Sequence, residues 1–136
     1  MQFDDFRFSY PLRVRWAEVD MQSVVFNGNY LTYADVGITE YLRELKLRGG
    51  DFSAVRAVLE YKGAARFDDL LDISVRVSRL GRSSMLFLIG MWRDGTLLTS
   101  GEITYVNTDL ETRTAKPLPE HLRSTIMAYE KVAPLS

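Results

Sequence analysis

The sequence predicts an α+β domain: one antiparallel β-sheet with a long helix across its face and a short helix at the C-terminus. Three observations carry that prediction. A segment with helical apolar spacing runs from Tyr30 to Leu45, strand-like segments follow one another from Ala54 onward, and tight turn sequences join those strands. A sheet with one apolar face and a helix with one apolar stripe bury both surfaces most simply by packing on each other.

The elements read in order. Phe6, Phe8, Tyr10, Leu12, Val14 and Trp16 alternate with residues such as Arg13 and Arg15, the pattern of a strand with one buried face, kinked at Pro11. The character changes over Glu18 to Asn29, where Asn27-Gly28-Asn29 offers capping chemistry for a helix start. In the helix, Tyr30, Ala34, Gly37/Ile38, Tyr41, Leu42 and Leu45 share one stripe, while Thr32, Asp35, Thr39, Glu40, Arg43 and Lys46 occupy the other side. Gly49-Gly50 is the expected stop. A mid-helix glycine costs about 1 kcal/mol against alanine, so Gly37 predicts a close approach of the helix to a neighbouring backbone.

The strands begin with Ala54 to Lys62. Leu71, Ile73, Val75 and Val77 then alternate with polar residues, and the nearly continuous apolar run from Met85 to Trp92 predicts a strand covered on both faces. Arg93-Asp94-Gly95-Thr96 is a hairpin turn, because Asp-Gly tolerates the positive φ angles such turns need. Leu97 to Val106 returns, and Asp109 to Thr112 turns again before a short strand at Arg113-Thr114-Ala115. Pro119 suits a first helical turn, with Leu122, Ile126 and Tyr129 as the stripe of the last helix. No repeat, linker or low-complexity stretch interrupts the pattern, so residues 1–136 are expected to form one domain. The open flank of such a sheet predicts dimerisation by edge pairing.

Composition excludes several functions. The chain has 136 residues, enough for one core, with 46% hydrophobic and 26% charged residues. Lysine plus arginine number 17 against 18 acidic residues, a net charge of -1, which gives no footprint for nucleic acid or an anionic membrane. The absence of cysteine removes disulfides, thiolate metal sites and cysteine nucleophiles. A lone histidine, His121, falls on the polar side of the last helix and leaves little room for a serine triad or a histidine-rich metal site, so neither metal nor cofactor is expected. The acidic start, Met1-Gln2-Phe3-Asp4-Asp5, is unlike a signal peptide and no apolar run approaches membrane-spanning length, so the cytoplasm is the expected compartment.

The run from Arg13 to Leu31 carries a further pattern: Trp16, Asp20, Val24-Val25-Phe26 and Tyr30 in aromatic-x-x-x-Asp-x-x-Gly-hydrophobic-Val-aromatic-x-x-x-Tyr spacing, with Ser23 at the glycine. This resembles the signature of the 4-hydroxybenzoyl-CoA thioesterase family. Arg66 to Leu71, Arg79-Leu80-Gly81-Arg82-Ser83-Ser84, and Arg113 through Pro119 resemble later family segments in the same order, so the resemblance covers essentially the whole chain. It implies a hotdog fold, a curled antiparallel sheet wrapped around one long central helix. It also implies homodimers, often paired into homotetramers, with active sites at the dimer interface. The implied reaction is hydrolysis of an acyl-CoA thioester, or of an acyl carrier protein thioester. Ser23 departs from the usual glycine and Asn27 from the histidine or tyrosine of many members.

Thioester hydrolysis needs an attacking group and donors for the charge that grows on the carbonyl oxygen, and a helix N-terminus with unpartnered N–H groups supplies the donors. The resemblance implies Asp20 as nucleophile or general base, the Asn27 backbone N–H as the donor, and the Gly28 N–H as a weaker one. Arg82, Ser83 and Ser84 are the first candidates for CoA phosphate or pantetheine, ahead of Arg79, Arg113 and Lys116. Phe26, Tyr30 and Tyr33 are candidates for the acyl pocket. Glu18 reads as a solvated loop carboxylate and Glu40 as part of a charged helix face. Two competing functions share the fold: an acyl-CoA hydratase, which wants a histidine in a context His121 lacks, and a non-catalytic acyl-CoA binding module.

Overall fold

The structure, a computed structural model, describes residues 1–47 and 51–136. The chain forms β1 (Phe8–Arg13), α1 (Asn27–Glu44), β2 (Phe52–Tyr61), β3 (Leu70–Leu80), β4 (Ser84–Arg93), β5 (Thr96–Asp109), β6 (Thr114–Ala115) and α2 (Glu120–Tyr129), with short 3₁₀ turns at Phe3–Asp5 and Trp16–Glu18. The strands pair antiparallel in the spatial order β1-β3-β4-β5-β2, and β6 adds to the end of β5. This is the expected α+β architecture, a curled sheet around a long helix with a short helix after it.

Alternation fixes which face of the sheet meets α1. Leu71, Ile73, Val75 and Val77 of β3 and Met85, Phe87, Ile89 and Met91 of β4 are fully buried against Tyr30, Tyr33, Ala34, Ile38 and Tyr41 of the helix. Each such aliphatic or aromatic side chain contributes about 1.5–3 kcal/mol by leaving water. β4 is less covered than its apolar run predicts, since Leu86 and Leu88 on the outer face stay half-buried. Only its Gly90-to-Trp92 end is enclosed on both sides, where Phe3 packs edge-on against Trp92. Pro11 sits on edge strand β1 opposite Asp72, where its missing N–H costs no ladder bond. The Asp94-Gly95 turn has φ of 49° and 81°, as its sequence requires.

Several local expectations are corrected. The strand that begins at Phe8 ends at Arg13, and Trp16 lies in a 3₁₀ turn with 76% of its surface exposed. Helix α1 is capped by Phe26 without a side-chain bond, and the amide of Asn29 donates instead to the Glu18 carbonyl at 2.9 Å. At its other end α1 stops on a Schellman motif. Lys46 takes a φ of 57°, its N–H donates to Arg43 O at 3.0 Å, and Leu47 N–H donates to Leu42 O at 2.9 Å. The expected stop at Gly49-Gly50 lies outside the described residues. Pro119 is the N-cap of α2 and not part of its first turn.

Gly37 makes the close approach its position predicts, but to side chains of β3 and not to backbone. A Cβ there would stand 2.6 Å from Ile73 Cγ2 and 3.0 Å from Val75 Cγ2. Both neighbours are stiff, fully buried β-branched residues. Helix propensity alone favours Gly37→Ala by about 1 kcal/mol, whereas overpacking costs about 1–3 kcal/mol. Gly37→Ala is therefore expected to lower the urea midpoint; a rise would show that α1 moves freely away from β3.

Candidate active site

The site begins where β1 ends. Val14 N–H donates to Asp69 O at 2.9 Å and its carbonyl accepts Asp68 N–H at 3.1 Å, which ties the chain to the segment before β3. The Trp16–Glu18 turn then brings Glu18 inward to 8% exposure. One carboxylate oxygen accepts the Arg15 N–H at 2.8 Å and the Tyr33 hydroxyl at 2.9 Å, and the other faces the Arg15 guanidinium, with Nε at 3.0 Å. The expectation of a solvated Glu18 is thus overturned: Tyr33, only 1% exposed, needs an acceptor for its hydroxyl and Glu18 is that acceptor. Burial opposes the charge on Glu18, yet the hydrogen bonds from the Arg15 side chain, the Arg15 N–H and Tyr33 outweigh it and hold its pKa below the ordinary value. Burial first, then the bond to Glu18, push the Tyr33 hydroxyl far above its usual range, so it remains a donor.

From Glu18 the chain makes a small hairpin. Val19 bridges Val25, Asp20 N–H donates to Val24 O at 2.9 Å, and Ser23 N–H donates to Asp20 O at 2.9 Å. Ser23 has a φ of 64°, so serine here adopts the left-handed conformation for which glycine is the easier residue. Asp20 stands exposed at the hairpin tip, with Oδ1 accepting the Gln22 N–H at 2.8 Å. Val24 bridges Arg66, and Val25 N–H donates to Ala65 O at 2.9 Å. The return strand of the hairpin is thus pinned to the Ala65-Arg66 segment.

The chain then enters α1. Phe26 N–H donates to Glu18 O at 3.0 Å, while its ring is 58% exposed and lies along Gly28. Asn27 and Gly28 are the first two residues of the helix, and their N–H groups have no acceptor within it. Two open grooves meet at Asn27 and Tyr61. One, of about 380 Å³, is lined by Asn27, Gly28, Leu31, Ala57, Leu59 and Tyr61. The other, of about 330 Å³, runs between Val24, Val25 and Tyr30 on one side and Lys62, Gly63 and Ala64 on the other. Tyr30 is 3% exposed, and its hydroxyl accepts the Ala65 N–H at 3.0 Å, so it forms part of the groove floor while its polar end is occupied.

Asp20 adjoins the helix start through its hairpin but lines neither groove. The Arg82-Ser83-Ser84 turn is not brought to it within one chain. Asp20 lies at the Leu70 end of β3 and the turn follows Leu80 at the other end, roughly 30 Å away along eleven extended residues. That turn is also a structural junction: Gly81 N–H is taken by Ser84 O, while Arg82 O and Ser83 O accept Leu118 and Asn107 N–H. Glu40 pairs with Arg43 on the helix face at 3.6 Å, and His121 is exposed. Lys62, Leu59 and Tyr61 escaped sequence reasoning because β2 reads only as a strand, with nothing to say which face meets α1. For Glu18 the signal was present: an arginine three residues ahead of the acid, in Arg15-Trp16-Ala17-Glu18, and a tyrosine on the apolar face of the following helix.

A curled antiparallel sheet around one long helix, with a short helix after it, defines the hotdog class. The chain belongs to the thioesterase superfamily, which it matches over residues 22–100, and by class it is a thioester hydrolase. It is 27% identical over 125 residues to the acyl-CoA thioesterase YbgC of Haemophilus influenzae, covering 86% of this chain and 92% of that protein. Its fold superposes on the PA5185 protein of Pseudomonas aeruginosa with a TM-score of 0.84 at 23% identity over 96% of each chain. A thioesterase of Thermus thermophilus, solved in complex with coenzyme A and zinc, gives 0.84 at 24% identity over 94% of this chain and 97% of that one. Among the described residues of the present chain, no group of three or more histidine, cysteine, aspartate or glutamate side chains is placed to hold a metal ion, and no helix is long and apolar enough to cross a membrane.

The depressed pKa of Glu18 has a defined consequence for stability. A group whose folded pKa lies below its unfolded value stabilises the fold above the ordinary value near 4.5 and loses that contribution as pH falls through the folded pKa. Glu18→Gln is expected to cost about 1–3 kcal/mol at pH 7. The gap from wild type in urea titrations should narrow as pH falls below that ordinary value. A gap unchanged down to about pH 3 would mean the carboxylate's charge contributes nothing.

Proposed function

We propose that this chain hydrolyses acyl-CoA thioesters to free acid and CoA, acting as one domain over residues 1–136. The observation that carries the reading is the opening of the unpartnered Asn27 and Gly28 N–H groups into apolar grooves next to the pinned hairpin that bears Asp20. In this scheme the thioester carbonyl accepts the Asn27 N–H, with Gly28 as second donor, and gains charge there as attack proceeds. Asp20 attacks directly, the C–S bond breaks to expel CoA as the thiolate, and water then cleaves the mixed anhydride. Alternatively, Asp20 takes a proton from the attacking water and passes it to the CoA sulfur as the same C–S bond breaks. Its exposed carboxylate, oriented by Gln22 N–H, suits either role. The acyl chain lies against Leu31, Leu59 and Tyr61, with the Tyr30 ring at the flank; exposed Phe26 lines neither groove but lies along Gly28 beside them. The reading also draws on the YbgC relative, whose name gives acyl-CoA as its substrate.

In this reading a second copy completes the site. Among the described residues the outer edge of β2 is unpaired, and Phe26, Leu31, Val55 and Tyr61 are exposed around it and the grooves. Pairing of two β2 edges in a homodimer covers that apolar surface, and paired dimers give the homotetramer. Arg82, Ser83 and Ser84 then serve CoA from a neighbouring subunit and not their own.

Thiol release from short, long and aromatic acyl-CoAs tests the reading. Wild type is expected to turn over at least one class, and Asp20→Asn to lower kcat by about 10²–10⁴-fold. Equal rates for the two proteins would remove Asp20 from the reaction. Light scattering that finds only monomer at assay concentration would remove the shared site.

A further inference from the structure

Glu18 is a buried acid that the proposed chemistry leaves unused, and its connections converge on the part of the molecule that chemistry needs. Its side chain takes the Arg15 N–H, the Arg15 guanidinium and the Tyr33 hydroxyl, and its carbonyl takes the Phe26 N–H at 3.0 Å and the Asn29 side-chain amide at 2.9 Å. Both ends of the Asp20 hairpin are therefore rooted at one residue. Its first strand leaves from Glu18, its second returns to Phe26 on the Glu18 carbonyl, and Val19 pairs with Val25 between them. Tyr33 belongs to the second turn of α1, the helix whose first two N–H groups are the proposed donors.

We propose that Glu18 is a positioning residue: its carboxylate, held between Arg15 and the Tyr33 hydroxyl, sets the Asp20 hairpin at a fixed distance and angle from the Asn27 and Gly28 amides. This inference rests on Asp20 as the reacting carboxylate. The bond to Tyr33 ties the hairpin root to the helix, and the bonds to Arg15 lock the turn that follows β1, so the root has little freedom to pivot. An amide in place of the acid keeps one acceptor oxygen but turns an NH₂ toward the Arg15 guanidinium, donor against donor. Released there, the hairpin swings about its root. A displacement of the order of 1 Å between reacting groups costs on the order of 100-fold in rate without changing how substrate binds.

The test uses full-length wild type, Glu18→Gln, Tyr33→Phe and Asp20→Asn, assayed well below their unfolding temperatures on the acyl-CoA that wild type hydrolyses best. Glu18→Gln is expected to lower kcat at least about tenfold with KM within about threefold, the signature of an interaction expressed at the chemical step. Tyr33→Phe, which removes one hydroxyl and no ring volume, should lower kcat in the same direction by a smaller factor. Hydrogen exchange should accelerate at the Val25 and Phe26 amides, which tie the hairpin to Ala65 and to its root, in both variants while β3 amides stay protected. A purely stabilising role predicts the opposite: wild-type kcat per folded molecule and unchanged exchange at those two amides. That result, with Asp20→Asn inactive, would overturn the positioning role alone. Should Glu18→Gln fail to fold, Tyr33→Phe decides the matter by the same two readouts. An Asp20→Asn enzyme as fast as wild type, or a wild type inert toward every acyl-CoA, would instead sink the Asp20 reading and this inference with it.

Discussion

Three tyrosine hydroxyls buried along α1 organise this protein. Tyr30, Tyr33 and Tyr41 sit on the helix face that packs against the sheet, each at 3% exposure or less. A phenol ring stabilises by burial, but its hydroxyl must find a partner or forfeit much of that gain. Each does so in a different region. Tyr30 accepts the Ala65 N–H before β3, Tyr33 donates to Glu18 at the root of the Asp20 hairpin, and Tyr41 donates to Glu130 just after α2 at 2.6 Å. The apolar parts of the rings hold the helix on the sheet, while the hydroxyls fix what surrounds it.

The two acids that meet these hydroxyls behave differently, and their surroundings explain why. Glu18 has a guanidinium and a backbone amide as well as Tyr33, enough to keep its pKa low despite burial. Glu130 has Tyr41 and the Val77 N–H, the latter beside a bulge in β3, and burial pushes its pKa up. One acid's pKa is thus held low near the proposed site, and the other's is raised by burial where α2 closes the far end of the core. The same solution to a buried hydroxyl yields an acid of lowered pKa where a cation bonds to it and one of raised pKa where none does.

The proposed reaction uses what this architecture leaves unsatisfied. Helix α1 must start somewhere, and its first N–H groups have no partner within the helix. Phe26 caps the start without a side-chain acceptor, so Asn27 and Gly28 face the grooves with their donors uncommitted. A serine or aspartate at the cap would compete for the Gly28 N–H, the second of the helix, and weaken its hold on a substrate carbonyl. The aromatic cap is a poor choice for helix stability and a suitable one for a site that keeps its donors for a ligand.

What the sequence determined by itself follows from local periodicity and turn chemistry. The alternation of Leu71 to Val77, the helical stripe from Tyr30 to Tyr41 and the Asp94-Gly95 turn each depend on neighbours a few residues away, and together they impose a sheet with a helix on it. The family resemblance carried by Trp16 to Tyr30, and not periodicity, is what pointed to the Asp20 segment. Tertiary structure alone decided the rest, because burial and reach depend on residues far apart in the chain. Glu18 reads as a surface acid until Tyr33 closes over it, and Trp16 reads as core until the chain turns outward after Arg13. Gly49-Gly50 reads as the helix stop, although Lys46 has already ended α1 by taking a positive φ. Arg82 lies one strand length from Asp20, a separation that spacing along a chain cannot express and that only the direction of β3 fixes.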